Sequence, residues 1–188
     1  EEVEYTAGHS LRTVLAQAGY EMASRELIQG GVRAFFAFER EQWKPYPESE
    51  ATLRRLSQKG YRLALISNAT DDELIQDLAE KGGLRKWFDI SLSSAGVGVR
   101  KPHPAAFRVV LNEWGFPPSQ VVMVGDTLRF DIAGAHNTGL KAILAAWDLY
   151  PDYDAEADHV VPDATAESLA RLVDLIPALS ERCSAGPT

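Results

Sequence analysis

The spacing of apolar positions changes near residue 45. Before it, apolar residues recur at helical intervals. Leu11, Val14, Leu15 and Ala18 follow the i, i+3, i+4, i+7 rule, which predicts a helix ended by Gly19. Ile28, Val32, Phe35 and Phe36 share one side of a second predicted helix over 24–43. Pro45 and Pro47 then interrupt the pattern. Beyond them, short apolar runs alternate with amphipathic stretches. The runs at 63–66, 121–124 and 142–145 are apolar on both faces, as strands buried in a parallel sheet are. A short strand is expected at 90–92 and a further buried run at 159–161. Helices are predicted around Leu53 and Leu56, around Leu74, Ile75 and Leu78, along Phe107, Val110, Leu111 and Trp114, over 128–137, and along Leu169, Leu172, Val173 and Ile176. Repeated strand–helix units predict an α/β fold: an open, mostly parallel sheet with helices on both faces.

Composition narrows the partners. A chain of 188 residues with 45% hydrophobic and 24% charged residues is an ordinary globule, not a disordered chain. Nineteen Lys and Arg against 27 Asp and Glu give a formal charge of -8, which argues against nucleic-acid binding by bulk charge. No apolar run approaches the roughly 18 residues of a membrane span, so no membrane partner is expected. The start, Glu1-Glu2-Val3-Glu4, does not read as a signal peptide. Cys183 is the single cysteine, so no intrachain disulfide can form, and a reducing, cytoplasmic location is expected.

Three polar clusters follow predicted strands, where ligands bind in open α/β sheets. Ser67, Asn68 and Thr70 follow the first run. They offer a hydroxyl, an amide and the N–H groups of a helix start, a cradle for an anion. The same residue types are usual N-caps, and alone the cluster reads that way. The second cluster holds Lys101 between Arg100 and Pro102, with Pro104 beyond. Prolines stiffen that turn, so the ammonium could meet a phosphoryl oxygen or be a solvated lysine before a helix that starts at a proline. His103, between the prolines, reads as a loop residue and not as a base. The third cluster is Gly125-Asp126-Thr127 with Asp131 five residues after Asp126. A carboxylate ending a buried strand needs a positive partner, and two of them suit a hard cation such as Mg²⁺. Helix capping is the competing role, stronger for Asp131 than for Asp126.

Taken together, Ser67, Lys101-Pro102 leading to Phe107, and Gly125-Asp126 with Asp131 and Gly134-Ala135 resemble the haloacid dehalogenase (HAD) superfamily of hydrolases, in its phosphatase branch with a small helical cap. The resemblance implies a Rossmann-like sheet, a helical cap over 1–45, an α/β core over 46–180 and a C-terminal tail over 181–188. It implies that Ser67 hydrogen-bonds the transferring phosphoryl group and that Asn68 touches the substrate. Lys101 would steady the nucleophile and the charge on the intermediate. Asp126 would bind Mg²⁺, and Asp131 would support the metal or hold Lys101. A small phosphorylated substrate, hydrolysed through an aspartyl-phosphate, is the implied chemistry. The acidic Gly125-Asp126-Thr127 string favours it over dehalogenation.

One departure limits this expectation. The family's nucleophile and general acid/base are two aspartates in an Asp-x-Asp-x-Thr string on a central first strand, before the cap. Here no Asp precedes Asp71, so that strand is expected to be missing from these residues and the chain alone is expected to be inactive. A non-catalytic binding or assembly module with the same fold is the alternative; a haloacid dehalogenase is a third.

Overall fold

A computed structural model describes residues 3–147, 157 and 159–184, with side chains to residue 179. In chain order the elements are α1 (Ala7–Gln17), α2 (Arg25–Phe35), α3 (Ala37–Gln42), α4 (Ser49–Gln58), β1 (Ala64–Ser67), α5 (Asp72–Lys81), β2 (Ile90–Ser93) and α6 (Ser94–Val97). They continue with α7 (Pro104–Trp114), β3 (Val122–Gly125), a π-helical turn (Leu128–Ile132), α8 (Ala133–Thr138), β4 (Lys141–Ala145), β5 (Ala164–Ala166) and α9 (Leu172–Ser184). The chain divides into two compact units, Glu1–Tyr46 with Leu63–Arg100 and Pro47–Arg62 with Lys101–Thr188.

In the first unit, the hydroxyls of Thr6 and Ser24 cap α1 and α2 by accepting the N–H groups of His9 at 3.1 Å and Leu27 at 3.2 Å. The helix predicted over 24–43 is two helices. Phe36 interrupts it with φ -89° and ψ 7°, and no Gly or Pro marks that break. Ile28 and Val32 are buried as their spacing predicts, whereas Phe35 is 78% exposed and meets Phe36 edge-on. Strands β1 and β2 pair in parallel, Ala64 opposite Ile90 and Ser67 opposite Ser93. Leu74 and Leu78 of α5 are buried in this unit.

The second unit carries a three-stranded parallel sheet in the order β3-β4-β5. Ile143 at the centre of β4 is fully buried and packs in a cluster with Ala166, Leu172 and Leu179. The strand expected at 159–161 forms later, at Ala164–Ala166. Val161 is 74% exposed, and Pro162 has no N–H to offer a neighbour; pairing begins only when the Asp163 N–H reaches the Ala142 carbonyl at 2.9 Å. The helix predicted over 128–137 opens as a π-turn. Helix α9 continues to Ser184, and 185–188 of the expected tail, like the Cys183 side chain, lie outside the described residues. Among the described residues, β1 and β3 each have a strand on one edge only, and both are half-buried along their length. No described helix is long and apolar enough to cross a membrane.

Candidate active site

Of the residues singled out from the sequence, Ser67 and Asn68 belong to the first unit and Lys101, Asp126 and Asp131 to the second. In the second unit the turn after β3 organises the acidic pair. The Thr127 carbonyl accepts from both Asp131 N–H, at 3.1 Å, and Ile132 N–H, at 3.2 Å. This widened turn is of the kind that recurs at functional sites. It folds Asp131 back onto the strand end. There its Oδ2 accepts from the Thr127 N–H at 3.1 Å and the Thr127 hydroxyl at 2.8 Å. Oδ1 accepts from the Lys101 ammonium at 2.6 Å. Both partners of that ion pair are buried, so each neutralises a charge that water cannot reach.

Gly125 makes this geometry possible. A Cβ there would lie 2.3 Å from Asp131 Cγ and 2.4 Å from its Cβ, closer than any side chain can come. Gly134 has a similar role one turn later, where a Cβ would stand 2.7 Å from Phe107 and 3.0 Å from the Pro102 backbone. The glycines therefore let the strand end and α8 close on the Lys101-Pro102 turn, whose peptide bond is cis. His103 is the N-cap of α7, its Nδ1 accepting from the Ala105 N–H at 3.1 Å, as befits a loop residue.

The two carboxyls are shifted in opposite directions. Burial alone would raise Asp131, but the Lys101 charge and hydrogen bond, then the Thr127 bonds, bring it below the usual carboxylate range. Asp126 goes the other way. Burial, then the hydrogen bond and repulsion from Asp131, push it up to about 6, more than Lys101 offsets. A half-buried carboxyl held against an ionised neighbour is where a cation would relieve the repulsion. Among the described residues no three His, Cys, Asp or Glu side chains converge on one point. Carboxylate oxygens such as those of Asp126 are hard donors of the kind Mg²⁺ takes while keeping several waters, whereas both Asp131 oxygens already accept hydrogen bonds from Lys101 and Thr127.

In the first unit, Ser67 ends β1 and Asn68 begins the loop to α5, both half-buried. Helix α5 takes Asp71 as its N-cap residue, but the Asp71 side chain makes no capping bond. Its carboxylate instead lies 3.4 Å from Arg40 of α3, and Arg40 also bridges to Asp77. The cap position expected among Ser67, Asn68 and Thr70 thus falls one residue later, on Asp71. Thr127 and Arg40 were not singled out from the sequence. Thr127 lies inside the Gly-Asp-Thr string but signals no task there, and the partners of Arg40 lie more than thirty residues away.

Comparison with known proteins agrees with this architecture. The haloacid dehalogenase-like hydrolase family matches residues 7–139. A phosphoserine phosphatase of Thermus thermophilus is 36% identical over 161 residues, covering 85% of this chain and 62% of its own. A glyceraldehyde 3-phosphate phosphatase of Methanothermobacter thermautotrophicus is 38% identical over 117 residues, 62% of this chain and 50% of its own. The crystal structure of a 2-haloacid dehalogenase from Pseudomonas syringae superposes with a TM-score of 0.71 at 28% identity, over 94% of this chain and 70% of that one. The chain thus spans between half and two thirds of the two curated phosphatases. With its family match, parallel α/β architecture and acidic strand-end turn, it belongs to the haloacid dehalogenase-like hydrolases.

Proposed function

We propose that the protein is a Mg²⁺-dependent phosphatase that hydrolyses a small phosphate monoester through an aspartyl-phosphate. The observation that carries this is the buried Lys101–Asp131 pair beside Asp126 at the carboxyl end of β3, where open α/β sheets bind ligands. In this account Asp126 holds the ion with help from Asp131, whose first task is to fix the Lys101 ammonium. Lys101 then supplies a positive charge that needs no reorganisation as negative charge develops on a phosphoryl group. Ser67 donates its hydroxyl to a phosphoryl oxygen, and Asn68 contacts the substrate. When bound, the ion neutralises phosphoryl charge. The names of the two phosphatase relatives support a small phosphorylated substrate.

The nucleophile must come from elsewhere. No Asp precedes Asp71, and β1 and β3, though apolar, each lack a second strand among the described residues. We assign the nucleophile to a further parallel strand outside these 188 residues, and predict that the chain is inactive without it. Residues 1–45 serve as the helical cap and 46–180 as the catalytic core, with 181–188 a C-terminal extension into which α9 continues as far as Ser184. The single cysteine supports a cytoplasmic setting. The absent nucleophile also favours a second reading, a non-catalytic module that keeps the fold for binding. Full-length protein assayed with Mg²⁺ on a panel of phosphate esters separates the two. Turnover that falls roughly a hundredfold in Asp126→Asn supports the phosphatase, and a complete lack of turnover supports the module.

A further inference from the structure

We propose that Ser94 is a positioning residue whose hydroxyl clamps the loop carrying Ser67 and Asn68; its link to phosphoryl transfer rests on the phosphatase reading above. Ser94 Oγ accepts from the Ala69 N–H at 2.9 Å and donates to the Ala69 carbonyl at 3.1 Å. One hydroxyl can do both, because it holds one proton and two lone pairs. The Ala95 N–H adds a further bond to the same carbonyl at 3.1 Å. The β1–β2 pairing, which ends with Ser67 opposite Ser93, is thereby carried two residues into the loop by a side chain.

The neighbouring Ser93 turns to the other end of the segment. Its hydroxyl donates to Asp72 Oδ1 at 2.7 Å and accepts from the Gly96 N–H at 3.0 Å. Ser93 and Ser94 are 1% and 3% exposed, so neither bond is exchanged with water. A Cβ at Gly96 would lie 3.0 Å from Asp72 Oδ1, which leaves this corner little slack. One buried dipeptide thus ties the segment 67–72 at Ala69 and at Asp72. Two consequences follow for the site. The Ala69 N–H faces Ser94 and is withdrawn from any anion at the strand end, and the backbone path just beyond Ser67 and Asn68 is held at Ala69 by a residue outside that loop.

The test uses full-length protein with Ser94→Ala, and Ser93→Ala as a comparator that removes a hydroxyl from the same buried dipeptide. Amide exchange at Ala69 is expected to quicken about tenfold or more in S94A and to stay unchanged in S93A. With p-nitrophenyl phosphate, S94A should lower kcat about tenfold while KM moves less than about threefold. A purely structural serine would shift the thermal midpoint without that split. If S94A does not fold, Ser94→Cys, which keeps a weak donor and acceptor, should show smaller changes of the same sign. Unchanged exchange at Ala69, or a kcat that falls only with the folded fraction, overturns the proposal. Should the unaltered protein hydrolyse no phosphate ester, the phosphatase reading fails, and the Ala69 exchange alone decides the clamp.

Discussion

Lys101 and Asp131, 30 residues apart in the chain, meet in a buried ion pair at 2.6 Å. The pair ties the turn before α7 to the turn after β3, and so sets where a positive charge stands relative to Asp126. Removing one partner strands the other charge away from water. Lys101→Met should therefore destabilise the protein by about 3–5 kcal/mol, while the double variant Lys101→Met/Asp131→Leu should recover much of that loss. Urea unfolding of the two single variants and the double variant measures the coupling. A loss in the double variant equal to the sum of the two single losses would mean the pair is not coupled.

Gly125 supplies a second, purely steric prediction. Since its missing Cβ would overlap Asp131 Cγ and Cβ, Gly125→Ala must displace the carboxylate or the strand end. Overpacking of this kind destabilises by about 1–3 kcal/mol. A unfolding curve for G125A that superimposes on the parent's would show that the turn has slack where none is expected.

These two features differ in how far the sequence announces them. The strand ends are legible because apolar runs stop abruptly at Ser67 and at Gly125-Asp126, and polar residues there need a reason. The Lys101–Asp131 bond was open between two roles, since a sequence does not say which oxygen faces which partner. Phe36 breaks a helix without a breaker residue, so no signal in the sequence marks the break. The last strand moved beyond Pro162, although β-branched Val160 and Val161 looked like the better strand, since a missing N–H outweighs propensity. Ser94 was invisible: its partner Ala69 is 25 residues upstream and contributes only backbone.

Asp163 gives a pH dependence. Its carboxylate accepts from Lys141 Nζ at 2.8 Å, the Ala142 N–H at 2.9 Å and His136 Nε2 at 3.0 Å. Burial opposes ionisation, but the Lys141 bond first, then Ala142 and His136, hold the group below the usual carboxylate range. The folded state therefore binds fewer protons here than the unfolded state near pH 4. The stabilisation is present in full above about pH 5 and is lost as pH falls through the lowered value. Asp163→Asn should lose about 1–3 kcal/mol at neutral pH, with the gap to the parent closing in acid. Unfolding free energies of both proteins across acid and neutral pH check the sign. A gap that widens on acidification would contradict it.

The central claim is that this chain holds the charge-stabilising half of a phosphatase centre while the nucleophile lies outside it. The most direct measurement compares Mg²⁺-dependent hydrolysis of p-nitrophenyl phosphate by the 188-residue chain and by the full-length protein under the same conditions. Turnover by the full-length protein, abolished by chelation of the metal, with the 188-residue chain at background, is the predicted result. Equal turnover by the 188-residue chain would contradict it.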